Sequence, residues 1–413
     1  MRNRIMGLFA ISAITTFTLA GCKDTPASNA PVTGNGTNAV STSSRPVAAE
    51  NGNPVTGNEI LVGEYASLTG DTATFGKGTH NGIQMAIDEA NDAGGISGKK
   101  IRLLTEDDAS KPEQAQTVVT KLCADDKVAV VLGEVASTRS IRGASICQKY
   151  GVPMISPSST NPEVTKGGDC IFRVCFTDDF QAAVAAHYAW DAGWKTAAIF
   201  KDIKSDYAKG FAENFSAEYT KLGGKITGEQ SYQGSDTDFK AQLNTLKGQD
   251  PSCVMVPGYY SEMGTIARQA KEIGLKVPLL GGDGWDSPQL IPGAGTALED
   301  CVFTDHYFST ELKDKGIEDF VAGFTKKYGA APDALAALGY DAAKLMIDAL
   351  KRAKTLDGKG IRAAIAETKD FAGVSGTITI DANGNARKSA LVMQIKGKDF
   401  KVIKSYTPEQ IGK

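Results

Sequence analysis

Two doubly wound α/β lobes, each a parallel sheet covered on both faces, are the fold class this sequence predicts. Three observations predict it. The body is too long for one core: 355 of the 413 residues follow Asn58, and single cores stop growing at about 250–300 residues. Short continuous apolar runs alternate with amphipathic helical segments, the pattern of parallel strands buried on both faces. That alternation runs from Ile60 to Ile155 and starts again after Phe176.

Taken in order, the chain opens on Arg2 and Arg4, an uncharged apolar core from Ile5 to Leu19 and small residues after it. This is the composition of an export signal rather than of a structural helix. Leu19-Ala20-Gly21-Cys22 resembles the lipobox of bacterial lipoproteins. The resemblance implies a signal peptide over 1–21, lipidation of Cys22 and a mature protein exported to the periplasm or cell surface, lipid-anchored to a bacterial membrane. From Cys22 to about Asn58 Thr, Ser, Asn, Ala, Pro and Gly dominate, so the segment is expected to be a disordered tether. Loss of Arg2 and Arg4 with the leader takes the formal charge from −3 to −5. That balance excludes the basic excess of a nucleic-acid binder and a polybasic membrane patch. Beyond the leader no apolar stretch approaches the ~18 residues of a membrane span.

Ile60–Gly63 reads as a strand and Asn81–Asn91 as a helix with Ile83, Ala86, Ile87 and Ala90 on one face, stopped by Gly94-Gly95. Ile101–Leu104, a helix opened by Pro112, Val128–Leu132, a helix over Ser137–Tyr150 and Val152–Ile155 continue the series. The second half begins with a helix near Phe180–Ala192, strand Ala197–Phe200, helix Tyr207–Leu222 and strand Lys225–Glu229. Helix Phe239–Leu246, strand Cys253–Val256, helix Glu262–Ile273 and strands Val277–Leu280 and Cys301–Thr304 follow. The tail breaks the pattern. Helices near Asp333–Ala353 and Gly360–Thr368 precede an expected hairpin, Gly376–Asp381 and Ala390–Ile395 about a turn at Ala382–Asn385. These late segments are expected to be added back onto the two lobes.

In open α/β sheets ligands sit outside the carboxyl ends of the strands, so the loops there carry the functional reading. After Val128–Leu132 comes Gly133-Glu134-Val135-Ala136-Ser137-Thr138, and after Val152–Ile155 comes Ser156-Pro157-Ser158-Ser159-Thr160-Asn161-Pro162. Both are rich in hydroxyls and free of lysine. The corresponding loops of the second half carry Asp206-Tyr207, Gly258-Tyr259-Tyr260 and Gly281-Gly282-Asp283-Gly284-Trp285-Asp286. Hydroxyls at a helix start suit a small carboxylate. A carboxylate among ring faces suits an ammonium group. A zwitterion gripped between two lobes satisfies both.

From Glu59 to about Lys404 the chain resembles the periplasmic leucine/isoleucine/valine-binding proteins, the type I substrate-binding proteins of ABC importers. The matching residues are Ser67-Leu68-Thr69-Gly70 with Phe75-Gly76, Gly133–Ser140, Pro153–Pro157 through Asn161-Pro162, Phe172-Arg173, Gly258–Gly264 and Gly282-Asp283-Gly284. The resemblance implies two lobes joined by a hinge, the type I periplasmic binding protein fold. It divides the body into 59–176 plus about 307–373, and 177–306 plus about 374–413. It further implies an amino-acid ligand, branched-chain or otherwise apolar, delivered to the membrane permease of an ABC importer. The other reading of the same fold is a sensor that presents its closed form to a membrane receptor. Carried over by residue, Ser137 and Thr160 bind the α-carboxylate with backbone groups around Ala136 and Ser158, and Asp283 pairs with the α-ammonium. Tyr207 and Tyr259 close over the ligand; Phe75, Val135 and Tyr307 stand as walls of its side-chain pocket. Three departures from the leucine-binding pattern bear on the ligand's side chain: Asp283 in place of glutamate, Trp285-Asp286 in place of small residues, which puts Trp285 among the candidate contacts, and Glu134 in the first-lobe loop.

The sequence gives no support to catalysis. Five residues separate Gly70 from Gly76-Lys77 and Gly78 replaces the Ser/Thr of a phosphate loop. A dinucleotide fingerprint is equally incomplete. His80, His187 and His306 are scattered with no metal-ligand spacing, no Gly-x-Ser-x-Gly elbow occurs, and no cofactor is expected. Besides Cys22 there are six cysteines; an even number in an exported chain suggests disulfides. Cys123 and Cys147, on consecutive helices flanking one strand, are the preferred pair. Buried free thiols are the other reading.

Overall fold

The computed structural model describes residues 45–307 and 314–412; the leader and Cys22 lie outside the described residues. The first sheet contains β1 (Glu59–Ala66), β2 (Lys100–Asp107), β3 (Val130–Leu132), β4 (Met154–Ser156) and β5 (Ile171–Arg173). All pair in parallel, in the order β2-β1-β3-β4-β5. The second sheet is built from β6 (Thr196–Asp202), β7 (Lys225–Tyr232), β8 (Cys253–Met255), β9 (Leu279–Gly281) and β10 (Val302–Asp305). Its parallel part runs β10-β9-β8-β6-β7, the first sheet's order repeated. The central strands β3, β4, β8 and β9 are buried at every position, which is why they read as continuous apolar runs.

Helices cover both faces: α1 (Ala73–Asp92), α2 (Pro112–Thr120), α3 (Ser137–Tyr150) and the single turn α4 (Glu163–Lys166) follow first-sheet strands. Around the second sheet lie α5 (Asp178–Asp191), α6 (Asp206–Lys221), α7 (Lys240–Lys247), α8 (Tyr260–Glu272) and the short α9 (Leu290–Ala294). Helix α1 starts two turns before the expected Asn81, because Gly76 and Gly78 read as loop residues. Gly76 is instead needed for contact, since a Cβ there would lie 2.1 Å from the Ser67 carbonyl oxygen.

The tail returns to both sheets. Helices α10 (Lys315–Tyr328), α11 (Ala334–Arg352) and α12 (Gly358–Ala366) join the first core, with Phe320, Leu338, Met346 and Ile361 packed among Ile60, Ile83 and Leu132. Helix α11 crosses α1 closely: a Cβ on Gly82 would lie 2.0 Å from the Ala336 oxygen, and one on Gly339 2.4 Å from that of Thr79. A small antiparallel sheet follows, of β11 (Phe371–Gly373), β12 (Gly376–Ile380) and β13 (Ala386–Arg387). Finally β14 (Ala390–Lys396) extends the second sheet antiparallel to β10, and β15 (Asp399–Tyr406) pairs antiparallel with β14 at its edge.

Four expectations are corrected. The turn at Ala382–Asn385 is a hairpin turn, but β12 pairs with Ala386–Arg387, while Ala390–Lys396 pairs with β10 and β15. Ile378, Ile380 and Ala386 belong to the first core, so the chain passes to the second sheet at Lys388 rather than near 374. The segment expected as free tether is, from Arg45 on, fastened to the first lobe. Arg45 donates to the Ile171 carbonyl at 2.6 Å, the Ala48 amide to Asp169, and the Asn53 amide group to the Cys123 and Val128 carbonyls. Backbone and amide bonding holds this polar stretch, which no hydropathy pattern signals. Fourth, Cys123 and Cys147 form no disulfide; they and the other four described cysteines are buried free thiols. Burial first, and the neighbouring Cys123 second, push the Cys147 thiol well above its ordinary range. Helix α10 and strands β5 and β15 were not foreseen.

Candidate ligand-binding site

A sheet ordered like either of these has its switch point between its first and third strands, and ligands bind there beyond the carboxyl ends. In the first lobe those ends lead to the segment before α1 and the loop Gly133–Ala136; in the second they lead to α6 and α8. The two switch points face one another across a narrow, nearly closed cavity. Phe75, Val135, Ser137, Ser158, Thr160 and Leu335 line it from one side, and Tyr207, Tyr259, Asp283 and Gly284 from the other.

The first wall is made of hydroxyls and backbone. Ser137 opens α3, whose N-cap is Ala136 and has no side-chain cap, and since the Arg139 and Ser140 amides donate to the Ala136 carbonyl, the Ser137 and Thr138 N–H groups are the ones left for an anion. Behind this wall the charges are buried and bonded mainly to one another and to backbone. Glu134 is not a ligand contact: its carboxylate accepts from the Ala136 amide at 2.6 Å, from Arg139 Nε at 3.0 Å and from the Ser67 hydroxyl at 3.0 Å. Asp108 lies beside it and accepts from the same hydroxyl at 2.7 Å; burial first and the Glu134 charge second push its carboxyl up. Arg173, fully buried in β5, donates to the Ser159 and Asn161 carbonyls at 2.5 and 2.8 Å, which sets the loop that carries Ser158 and Thr160.

The second wall is aromatic and acidic. Tyr207 and Tyr259 stack with ring centroids 5.3 Å apart and planes 16° apart. Ser205 caps α6 and so fixes Tyr207, whose hydroxyl accepts from the Gly284 amide at 3.3 Å. Burial pushes both phenols up, so they present neutral faces. Phe75 of the first lobe meets Tyr259 and Tyr260 edge-on at 5.9 and 4.8 Å. Asp283 is 7% exposed and accepts from Gln181 Nε2 and His306 Nε2, each at 3.0 Å. Asp178, close by and fully buried, is pushed up to about 8, by burial first and then by the charge of Asp283. Two such carboxyls cannot both ionise. Burial and the neighbouring Asp283 thus favour the neutral form of Asp178.

The walls touch. Thr138 Oγ1 accepts from the Asp206 amide at 2.9 Å, Asn161 Nδ2 donates to the Asp206 carbonyl at 2.7 Å, and the Thr74 amide donates to Tyr260 at 3.1 Å.

Of the residues predicted from sequence, Phe75, Val135, Ser137, Ser158, Thr160, Tyr207, Tyr259 and Asp283 come together in one cavity. Three do not line it. Trp285 is fully buried inside the second lobe, its indole N–H donating to the Val256 carbonyl at 3.1 Å and its ring beside Phe303. Tyr307 packs into the first core. Ala136 contributes its position at the start of α3, while its amide is taken by Glu134. Sequence reasoning missed Leu335, which the tail carries into the cleft, and also Gln181, His306 and Asp178 behind Asp283. Two acidic residues and a glutamine opening a helix, Asp178-Asp179-Phe180-Gln181, were the only local signal.

The profile of the periplasmic binding protein family matches residues 59–400. A Leu/Ile/Val-binding protein homolog of Brucella abortus is 33% identical over 348 residues, 83% of this chain and 92% of that protein. Among solved structures, the leucine-binding protein LivK of Thermotoga maritima superposes with a TM-score of 0.82 at 35% identity, covering 85% of this chain and 99% of that one. LivJ, a branched-chain amino acid transporter substrate-binding protein of Streptococcus pneumoniae solved with isoleucine, superposes with a TM-score of 0.78 at 34% identity, covering 84% and 98%.

Proposed function

The chain belongs to the periplasmic binding protein family, whose members bind solutes rather than transform them, and on that premise we propose that it captures a branched-chain amino acid for an ABC importer. The observation that carries the ligand class is the opposition of the two walls. Ser137, Thr160 and the uncapped start of α3 offer donors to a carboxylate, and Asp283 with two ring faces offers an anion to an ammonium, on opposite walls of one narrow cavity. Phe75, Val135, Leu335 and Tyr259 leave only apolar surface for a side chain. Such a ligand joins the lobes, so its binding favours the closed arrangement over the open one. Calorimetric titration of the purified, ligand-stripped protein with the common amino acids tests this. Leucine, isoleucine or valine is expected to bind most tightly, and no binding by any amino acid would defeat the reading.

The export signal and the lipobox-like Leu19–Cys22 support attachment at Cys22, outside the cytoplasmic membrane, with the residues between Cys22 and Arg45 as spacer. Acyl chains contribute ~0.8 kcal/mol per buried CH₂, enough for stable anchoring when two are present. Cys22→Ser is expected to release the protein from the membrane fraction and to leave ligand affinity unchanged. Retention of that variant after a high-salt wash would overturn the anchor.

A further inference from the structure

We infer that Gln181 and His306 are positioning residues for the ligand's ammonium group, acting through Asp283; the inference rests on the amino-acid reading above. Asp283 sits in a single 3-10 turn after β9, and one methylene gives its carboxylate little reach of its own. Two N–H donors grip it from behind, one on each oxygen: Gln181 Nε2 on Oδ1 and His306 Nε2 on Oδ2, both at 3.0 Å. A carboxylate accepts about four hydrogen bonds, so this grip leaves lone pairs for an ammonium and fixes where they point.

Both donors are themselves fixed. Gln181 is fully buried, and its carbonyl oxygen accepts from the Thr304 hydroxyl at 3.0 Å while its amide nitrogen also donates to Asp178 at 2.9 Å. Its orientation is therefore determined, with nitrogen toward Asp283. His306 is 4% exposed and lies flat on Phe176, ring centroids 3.5 Å apart at 24°. Its Nδ1 is buried with no partner among the described residues. As a carboxylate Asp283 accepts only, and in that form the bond places the proton on Nε2. Burial holds the ring below the ordinary histidine range, and Lys388 adds to that while Asp283 opposes it. A neutral imidazole orients Asp283 without cancelling its charge.

The two donors enter from different crossings between the lobes. Gln181 lies in the first turn of α5, just past the crossing Val174–Thr177, and His306 follows β10 directly where the chain leaves the second sheet. Phe176, from the first crossing, stacks on His306 from the second. The segments that link the lobes thus also set the carboxylate that meets the ligand.

The test uses calorimetry on the purified full mature chain with L-leucine, L-isoleucine and L-valine as probes, and thermal melting of each unliganded variant. His306→Gln places a donor where Nε2 lies and is expected to bind within about threefold of wild type. His306→Asn, polar but one methylene short, and Gln181→Met, which keeps length and loses the donor, are expected to bind roughly tenfold to hundredfold more weakly, the loss of one hydrogen bond to a charged group. A purely structural role for His306 would not separate Gln from Asn. Equal affinity of His306→Asn and His306→Gln, or wild-type affinity in Gln181→Met, overturns the inference. Failure of the wild type to bind any of the three probes overturns instead the amino-acid reading.

Discussion

The two walls of the cleft solve the same problem in opposite ways. The first lobe presents hydroxyls and backbone N–H groups to the cavity and keeps its charged side chains, Glu134, Arg139 and Asp108, buried behind the wall and paired with one another. The second lobe puts a charge at the surface of the cavity, Asp283, and places neutral donors behind it. Backbone groups need no counter-charge and cannot change protonation, so the first wall is set once the loop is held. A side-chain carboxylate facing the cavity must be aimed by its neighbours, so the second wall depends on what touches it.

If the first wall is held by buried charge, the largest effect in the molecule comes from uncompensating it. Arg139→Met leaves Glu134 buried beside Asp108 without its cation, and is expected to lower stability by about 3–5 kcal/mol. Denaturant titration checks it; a loss below about 1 kcal/mol would mean that the Glu134 network is not what fixes the loop. If the second wall acts by charge, Asp283→Ala is expected to weaken amino-acid binding by ~2–5 kcal/mol, or roughly 30- to 4,000-fold, with the melting temperature of the unliganded protein nearly unchanged. Wild-type affinity in that variant would remove Asp283 from the site.

Trp285 sharpens the contrast because it adjoins Asp283 in sequence and not in function. Trp285→Phe leaves the Val256 carbonyl without its donor and is expected to lower stability by about 1–3 kcal/mol, while the order of preference among leucine, isoleucine and valine stays as in wild type. A changed order in competition titrations would return Trp285 to the ligand.

A pH-dependent effect concerns Asp178, whose carboxyl is pushed up to about 8 by burial first and the charge of Asp283 second, against an ordinary 3.8. A carboxyl raised on folding stabilises fully below its unfolded pKa, and this contribution is lost as pH rises through the folded value. Wild type is therefore expected to lose stability between about pH 4 and pH 8 through this group. Asp178→Asn, neutral throughout, should flatten that slope, so that its stability relative to wild type rises steadily from about pH 4 to pH 8. Melting curves at pH 5 and pH 8 decide it: identical slopes would show that Asp178 is not held protonated at neutral pH.

Much of this was legible in the chain. Continuous apolar runs such as Val130–Leu132 and Cys253–Met255 announced central parallel strands, because a strand buried on both faces has no polar position to interrupt it. Strand-end loops are local in sequence, so Ser137, Thr160, Tyr207, Tyr259 and Asp283 could be found from the strands before them. Trp285 and Tyr307 misled for a matching reason: proximity in sequence to a site residue does not say which way a large ring turns, and both turn into cores.

What sequence alone determined, then, was the pair of sheets and the chemistry of each loop, since both follow from hydropathy period and residue type within a few residues. The tertiary structure decided what depends on distant chain. Leu335 reaches the cavity from a helix that belongs to the first lobe only because Gly82 and Gly339 let α11 lie on α1. The hairpin strand at Ala386–Arg387 and the crossing at Lys388 separate what one apolar pattern had joined. Arg45–Asn53 is fastened by hydrogen bonds to partners about 70–126 residues away. Gln181 and His306 meet on Asp283 from 102 and 23 residues away. Hydrogen bonds to such remote partners leave no periodic trace, and only the folded arrangement brings their donors within 3 Å.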